Sequence, residues 1–152
     1  ESQRDALIQV LSKVNCLIIN EAELRQLTKT HNVVKAAQVV QNWGPTLIVV
    51  KRGEYGALLF NQTEAFSLPG LPLSEVKDPT GAGDSFAGGF LGFLASSGQT
   101  TPDKKTLRQA VVYGSVMASF IVEDFGCHQL LRISKNKIDE RFKQFRDLTT
   151  FH

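Results

Sequence analysis

The residues best suited to chemistry lie in one short segment, DPTGAGDSFAGGF, at positions 78–90. Three small residues, Gly81, Ala82 and Gly83, precede an apolar run that is typical of a helix. The first N–H groups of a helix have no partner within it, and the helix dipole adds about half a positive charge there. Small side chains would let an anion approach these N–H groups. The segment therefore predicts a binding site for a phosphate or another oxyanion.

Asp84 stands in the first turn of the same predicted helix. A carboxylate at this place would repel a bound phosphate unless it has a function of its own. Beside a phosphoryl group in transfer, it could accept the proton of an attacking hydroxyl. Phosphoryl transfer requires mainly positioning, charge neutralisation and a base, so the segment could serve such a reaction. The structural alternative is a tight glycine turn in which Asp84 only complements the helix dipole.

The elements around this segment alternate between strands and helices. CLII (16–19) and TLIVV (46–50) are short apolar runs typical of buried parallel strands, and KRGEYG (51–56) leads into a hairpin formed by ALLF and TEAFSL. Apolar periodicity and capping residues predict helices over 2–13, 20–28, 31–43, about 81–96, 103–123 and 135–146. This succession predicts an α/β protein with a mostly parallel sheet flanked by helices.

Polar and glycine-rich segments follow the predicted strands. Asn20 comes directly after the first strand, residues 51–53 follow the second, and residues 81–84 begin a helix. Ligands of parallel sheets bind beyond the carboxyl ends of the strands. We therefore expect these three segments to share one edge of the sheet.

The segment 78–90 resembles the signature of the ribokinase-like (pfkB) carbohydrate kinases, Asp-Thr-x-Gly-Ala-Gly-Asp followed by a helix rich in Phe and Gly. The matching positions are Asp78, Gly81, Ala82, Gly83, Asp84, Phe86, Gly88, Gly89 and Phe90. Pro79 and Thr80 are a mild departure from the pattern. The resemblance implies the C-terminal half of a ribokinase-like three-layer sandwich. It also implies ATP-dependent transfer of the γ-phosphoryl group to a sugar hydroxyl, with Asp84 as the general base and residues 81–84 as the anion hole.

Two further resemblances to the family concern metal ions. Asn20 and Glu23 resemble the family's Asn-x-x-Glu motif, which implies that Glu23 organises Mg²⁺, through water, around the ATP phosphates. The same two residues have the types and spacing of a helix capping box, and this structural interpretation stays open. The resemblance also implies that Asp78 and Thr80 contribute oxygens to a monovalent cation such as K⁺.

Two segments resemble the family's nucleotide-binding elements. In VVKRGEYGALLF (49–60), Gly53 and Gly56 would let the backbone pass close to ATP, and Lys51 or the neighbouring Arg52 would reach a phosphate. In YGSVMASFIVEDFG (113–126), the small residues Gly114 and Ser115 would leave room for the adenine. The alternatives are a glycine turn with solvated charges in the first segment and close helix packing in the second.

Composition argues against several other classes of protein. The chain has 17 basic and 15 acidic side chains without a long run of either sign, which gives little support for a nucleic-acid or membrane partner. No apolar stretch reaches the roughly 20 residues of a membrane span, and no secretory segment opens the chain. Cys16 and Cys127 lack a metal-binding or CxxC context. They predict two reduced, mainly structural thiols in a cytoplasmic protein.

The only methionine is Met117, and the chain starts at Glu1 within a predicted helix. We therefore expect residues 1–152 to be a single nucleotide-binding and catalytic half-domain of a longer kinase. The resemblance places the sugar contacts in the other half, so the acceptor stays open. A nucleoside kinase of the same family and a non-catalytic nucleotide-binding or assembly module are the two alternatives. An unpaired sheet edge would attract another chain, so we also expect a homodimer.

Overall fold

The computed structural model of the chain describes residues 3–126 and 128–151, so Cys127 lies outside the described residues. These residues divide into two compact units. The sheet unit contains the residues up to Gly53 together with Ala57–Ser67. The helical unit contains Glu54–Gly56 and the residues from Leu68 onward. That residues 1–152 act as one half-domain stays a prediction.

A four-stranded sheet organises the sheet unit. Its strands are β1 (Cys16–Asn20), β2 (Leu47–Lys51), β3 (Ala57–Phe60) and β4 (Ala65–Leu68), in the order β1-β2-β3-β4. β1 and β2 are parallel, whereas β2 and β3 are antiparallel, so the sheet is mixed. The middle residues of β2 are fully buried, as expected for a strand that is covered on both faces.

The helices of the sheet unit are α1 (Gln3–Leu11), α2 (Glu21–Thr28) and α3 (Val33–Gln41). α2 and α3 form the crossover between the parallel strands β1 and β2. Their apolar faces, which include Leu24, Ala36 and Val40, share one buried cluster with Ile19 and Ile48. Burial of this cluster holds the helices against the sheet. The predicted α/β class is therefore confirmed.

Cys16, at the start of β1, is half-buried and forms no disulfide with a described residue. Burial raises the pKa of its thiol to about 11. The thiol is therefore protonated and a poor nucleophile near neutral pH, which agrees with the structural role predicted for it.

The helical unit contains α4 (Ala82–Ser96), α5 (Lys104–Ile121) and α6 (Lys135–Thr149). α4 and α5 pack closely because Gly89 and Gly114 face each other's helix. A Cβ on Gly89 would lie 2.8 Å from the carbonyl oxygen of Tyr113, and one on Gly114 would lie 2.9 Å from the carbonyl oxygen of Phe86. Stacked rings of Phe93 and Tyr113, 4.5 Å apart, add to this contact.

The sequence predicted the helices of this unit to within a few residues. The apolar periodicity of 81–96, 103–123 and 135–146 corresponds to α4, α5 and α6. Among the described residues, no helix has both the length and the apolar character that a membrane crossing requires.

Candidate active site

A tight turn leads into α4. The N–H of Ala82 donates to the carbonyl oxygen of Pro79 at 3.2 Å, and Gly81 has φ 82° and ψ −6°. These angles are those of the third residue of a type II turn, where a positive φ favours glycine. Gly81 is thus required by the backbone, and its carbonyl oxygen accepts the first helical hydrogen bond, from Ser85 N–H at 2.9 Å.

No side chain among the described residues caps the N-terminus of α4. In the described part of the chain, the N–H groups of Gly83 and Asp84 donate to no acceptor. The other helices with a described N-cap are capped by a side chain, namely Asn20, Asn32, Asp103 and Ser134. α4 therefore offers unsatisfied donors together with the positive end of its dipole, which is the chemistry that an oxyanion requires.

Asp84 lies on the exposed side of α4. The opposite side of the helix carries Phe86 and Phe90, which are buried and whose rings stack with centroids 6.4 Å apart. Within residues 3–126 and 128–151, the Asp84 carboxylate has no hydrogen-bonding or ionic partner. It is therefore available to accept a proton from a group that approaches the start of the helix.

Asp78 is bound within the loop that precedes α4. Its Oδ1 accepts the N–H of Thr80 at 2.9 Å. Hydrogen bonds from the Thr80 side chain, from Thr80 N–H and from Gly126 N–H hold the pKa of the carboxyl below its ordinary value, although partial desolvation acts in the opposite direction. The N–H groups of Lys77 and Asp78 donate to the carbonyl oxygen of Val122, at 2.7 and 3.4 Å. The end of α5 thus holds the segment that leads to the turn.

Asn20 and Glu23 form a complete capping box at the start of α2. Glu23 N–H donates to Asn20 Oδ1 at 2.7 Å, and Asn20 N–H donates to Glu23 Oε2 at 3.2 Å. The structural interpretation of this pair is therefore correct. It does not exclude a role near a metal ion, because Glu23 is exposed and its Oε1 has no partner among the described residues.

The described residues contain no group of three or more His, Cys, Asp or Glu side chains that could hold a metal ion. A magnesium ion bound here would therefore take most of its ligands from phosphate and water, as Mg²⁺ usually does at nucleotide sites. The single exposed carboxylate of Glu23 fits a contact through water. The roles of Glu23, Asp78 and Thr80 toward cations stay predictions.

The carboxyl ends of β1 and β2 bring Asn20 and Lys51 side by side, as opposite residues of the last parallel pair. Gly53 follows two residues after Lys51, so these three predicted residues share one edge within the sheet unit. Lys51 is half-buried and forms no ion pair with a described residue. That residues 81–84 meet this edge stays a prediction.

An ion-pair network at this edge was not predicted from the sequence. Glu21 Oε2 accepts Arg52 Nε at 3.2 Å, and Glu21 Oε1 accepts Arg25 Nη2 at 2.7 Å. Desolvation raises the pKa of Glu21, but the hydrogen bonds and charges of the two arginines outweigh it and lower the pKa. The i,i+4 spacing of Glu21 and Arg25 was a usable signal, whereas the pairing with Arg52 depends on sheet register. Of the two cations considered for a phosphate contact, Lys51 is the one that has no carboxylate partner within the part of the chain that the structure describes.

The two glycines of the 51–56 turn differ in their surroundings. Gly53 has φ 58°, and no atom lies within 4 Å of the position of a Cβ, so its surface is open to a ligand. Gly56 has φ 90°, and a Cβ there would overlap the carbonyl oxygen of Leu68. Packing against residues 68–70 therefore requires glycine at position 56 whether or not a nucleotide binds.

Gly114 and Ser115 lie on α5, where Gly114 is buried and Ser115 is half-buried. The contact of Gly114 with Phe86 accounts for its lack of a side chain, as the packing alternative proposed. A nucleotide role for Gly114 and Ser115 stays a prediction.

The fold and the uncapped start of α4 define an α/β protein with a helix N-terminus suited to an anion. Residues 1–133 match the model of the pfkB family carbohydrate kinases. Because this match covers most of the chain, the protein belongs to that family.

Individual relatives agree with this assignment. The chain is 41% identical over 91 residues to a cytidine kinase of Thermococcus kodakarensis. The matched segment covers 59% of this chain and 32% of the relative. A ribokinase of Thermotoga maritima superposes with a TM-score of 0.75 at 28% identity, over 90% of this chain and 44% of that one. A fructokinase of Vibrio cholerae, solved with fructose, ADP and calcium ion, superposes with a TM-score of 0.81 at 23% identity, over 91% and 44% of the two chains. The predicted ribokinase-like fold is confirmed, and the chain spans less than half the length of each of these proteins.

Proposed function

We propose that residues 1–152 form the nucleotide-binding and catalytic half of a longer ATP-dependent kinase, which transfers the γ-phosphoryl group to a hydroxyl of a sugar. The observation that carries this proposal is the open N-terminus of α4. In a chain of the pfkB family, the N–H groups of Gly83 and Asp84, which donate to no described residue, lie beside the exposed Asp84 carboxylate. A phosphate-binding helix start and a base are the two parts that phosphoryl transfer requires from the protein.

In the proposed reaction, the N–H groups at the start of α4, from Gly81 to Asp84, bind the oxygens of the γ-phosphoryl group. Ala82 N–H donates to Pro79 in the structure, so the N–H groups of Gly83 and Asp84 carry most of this contact. These donors act in the transition state because charge stays on the equatorial oxygens during transfer.

Asp84 acts as the general base. Its carboxylate accepts the proton of the acceptor hydroxyl while the hydroxyl oxygen forms a bond to the γ-phosphorus. The bond between the γ-phosphorus and the β,γ-bridging oxygen breaks, and ADP leaves with its electron pair. The absence of an ionic partner for Asp84 among the described residues supports this role, because a carboxylate held by a cation would be a weaker base.

The remaining predicted residues bind the nucleotide and its ions in this proposal. Lys51, which forms no ion pair with any described residue, is the cation at the β2 edge that contacts a phosphate in this proposal, and Gly53 leaves an open backbone surface beside it. Asn20 fixes the start of α2 and thereby presents Glu23 toward water around the metal ion. Mg²⁺, when bound, neutralises the charge of the phosphates.

The acceptor separates two versions of this proposal. A sugar acceptor agrees with the family description and with the fructokinase among the structural neighbours. A nucleoside acceptor is supported by the cytidine kinase at 41% identity. Assays of the full-length protein with ribose, fructose, cytidine and adenosine would distinguish them, since only one class should be phosphorylated at micromolar to millimolar concentrations.

The Asp84→Asn variant of the full-length protein tests the proposed reaction. Asparagine keeps the size and the N–H of residue 84 but cannot accept a proton, so we expect Mg·ATP affinity within about twofold of wild type. Turnover should fall by about 10² to 10⁴, the usual contribution of a general base. The Asp147→Asn variant, which removes an exposed carboxylate of α6, is the matched control and should retain full turnover.

Two results would contradict the proposal. Near-normal turnover of Asp84→Asn would exclude Asp84 as the base. A folded wild-type chain of residues 1–152 that binds no Mg·ATP by calorimetry would instead favour a non-catalytic module, or a nucleotide site that needs the rest of the protein.

A further inference from the structure

Arg141 of α6 contacts the C-terminal end of α5 through three different interactions. Its Nη1 donates to Glu123 Oε2 at 2.5 Å, and its Nη2 donates to Glu123 Oε1 at 3.4 Å. Nη1 also donates to Ser119 Oγ at 3.3 Å, and the guanidinium lies over the ring of Phe120, 3.8 Å from its centroid. One side chain of α6 thus joins three positions at the end of α5.

The surroundings of Arg141 differ from those of a solvated surface ion pair. Its side chain is 16% exposed and that of Glu123 is 33% exposed, whereas the side chain of Arg146 on the same helix is 64% exposed. Solvent and salt screen a half-buried pair less than an exposed one. The two N–H groups and the aromatic ring also fix the orientation of the guanidinium. Arg141 therefore restrains the end of α5.

Apolar packing fixes α6, the helix that presents Arg141. Phe145 is 1% exposed, and the ring of Phe142 lies 4.9 Å from that of Tyr113 on α5. The match to the family model ends at residue 133, before α6 begins. The contact of Arg141 with the end of α5 is therefore a feature of this chain that the family match does not include.

The end of α5 holds the segment that leads to the start of α4. Val122 is the C-cap residue of α5 and directly precedes Glu123. Its carbonyl oxygen accepts the N–H groups of Lys77 and Asp78, at 2.7 and 3.4 Å. These two residues directly precede the turn of residues 79–82, from which α4 starts. The position of one carbonyl oxygen thus restricts the backbone that enters the turn.

The consequence concerns the N–H groups of Gly83 and Asp84. The last carbonyl groups of a helix have no partner within it, and helix ends open more readily than helix centres. Because Arg141 binds the residue next to Val122, it opposes such opening at the point that holds the 79–82 turn. Donors that are ordered in advance bind an anion without further ordering.

We propose that Arg141 is a positioning residue, which holds the end of α5 and thereby orders the segment that leads into the 79–82 turn. The inference rests on the proposed function for the identity of the anion, the γ-phosphate of ATP. The ordering itself does not depend on a ligand.

Hydrogen exchange of the backbone amides in the full-length protein, followed by NMR without any ligand, tests the ordering directly. In Arg141→Gln, we expect the amide of Lys77 to exchange about tenfold faster, the effect of losing one charge-assisted hydrogen bond. The amide of Thr106, which donates to Asp103 at the opposite end of α5, should be unaffected. The matched control is Arg146→Gln, which removes an exposed arginine of the same helix.

Two further changes test whether the ion pair with Glu123 carries the effect. Arg141→Lys keeps the charge but not the paired N–H groups, so it should recover part of the protection of Lys77. Glu123→Gln should also speed the exchange of Lys77, and its combination with Arg141→Gln should be no faster than Arg141→Gln alone. Two groups that act through one contact show such non-additivity.

Calorimetric titration with Mg·ATP and Mg·ADP tests the consequence for the site. For Arg141→Gln, we expect the affinity for ATP to fall about fivefold and the affinity for ADP to change less than about twofold, since the 79–82 turn faces the γ-phosphate in the proposed function. Arg146→Gln should bind both nucleotides as the wild type does. Thermal unfolding checks that the fold of each variant is intact. If Arg141→Gln does not fold, Arg141→Lys serves for the same comparison.

Three outcomes would overturn the inference. Unchanged exchange of Lys77 in Arg141→Gln would show that Arg141 does not order this segment. Equally faster exchange of Lys77 and Thr106 would show that Arg141 only stabilises the fold as a whole. Faster exchange of Lys77 alone, with an unchanged ATP affinity, would show that the ordering does not serve the site. If the wild-type protein itself does not bind ATP, the proposed function fails, whereas the exchange experiment still decides whether Arg141 orders the segment.

Discussion

Replacement of Gly83 by proline tests the proposed anion hole, because it removes one backbone N–H group at the start of α4. Gly83 is the second residue of α4, and its N–H donates to no acceptor among the described residues. Proline lacks this N–H and is tolerated in the first turn of a helix, where the N–H has no helical partner. In the interior of a helix the same change costs about 3 kcal/mol or more, so position 83 is one where the cost for folding should be small.

The expected loss of affinity follows from the number of hydrogen bonds removed. One N–H that donates to a charged phosphate oxygen is worth about 1.5–3 kcal/mol. Because about 1.4 kcal/mol corresponds to a factor of ten, affinity for Mg·ATP should fall about 10- to 100-fold in Gly83→Pro. Gly83→Ala adds a Cβ as proline does but keeps the N–H, so it is the matched control and should bind ATP within about threefold of wild type.

Calorimetric titration with Mg·ATP and Mg·ADP measures this loss. ADP lacks the γ-phosphate, so its affinity should be similar in wild type, Gly83→Ala and Gly83→Pro. Urea unfolding of the same three proteins checks stability. Equal ATP affinity of a folded Gly83→Pro variant and Gly83→Ala would refute the contact between this N–H and the phosphate. An equal loss of ATP and ADP affinity would place the contact elsewhere on the nucleotide.

Two other predictions concern packing and charge. Gly114→Ala should destabilise the fold by about 1–3 kcal/mol, because its Cβ would lie 2.9 Å from the carbonyl oxygen of Phe86. Gly88→Ala should be neutral or stabilise the fold by up to about 1 kcal/mol, because no atom lies within 4 Å of the new Cβ. Urea unfolding measures the free energy of unfolding of both variants. Equal effects of the two changes would contradict the packing role of Gly114. The lowered pKa of Glu21 means that this carboxyl binds a proton more tightly in the unfolded state than in the folded state. The ionised Glu21 therefore stabilises the fold above the ordinary carboxyl pKa of about 4. This contribution is lost as the pH falls through the lower pKa of the folded state. Glu21→Gln should therefore reduce the fall in the free energy of unfolding between pH 6 and acid, and an unchanged pH profile would show that the pairing with Arg25 and Arg52 is too weak to matter.

Much of the fold could be read from local patterns. The apolar run of β2 and the apolar periodicity of α4, α5 and α6 predicted the type and approximate limits of these elements. They did so because the residues that an element buries are apolar and recur at the period of that element. The 78–90 segment likewise predicted a helix start with a glycine turn. These local patterns did not predict the register of β1 against β2, and this register places Asn20 beside Lys51.

The sequence by itself determined the chemistry that is local to a few residues. The capping box of Asn20 and Glu23, the positive-φ turn at Gly81 and the uncapped start of α4 all depend on residues within four positions of one another. Only the tertiary structure decided which distant groups meet. Arg52 pairs with Glu21 across 31 residues. The N–H groups of Lys77 and Asp78 donate to the carbonyl oxygen of Val122 because the end of α5 returns to the loop before α4. Such contacts depend on the packing of whole elements, which no short spacing in the chain encodes.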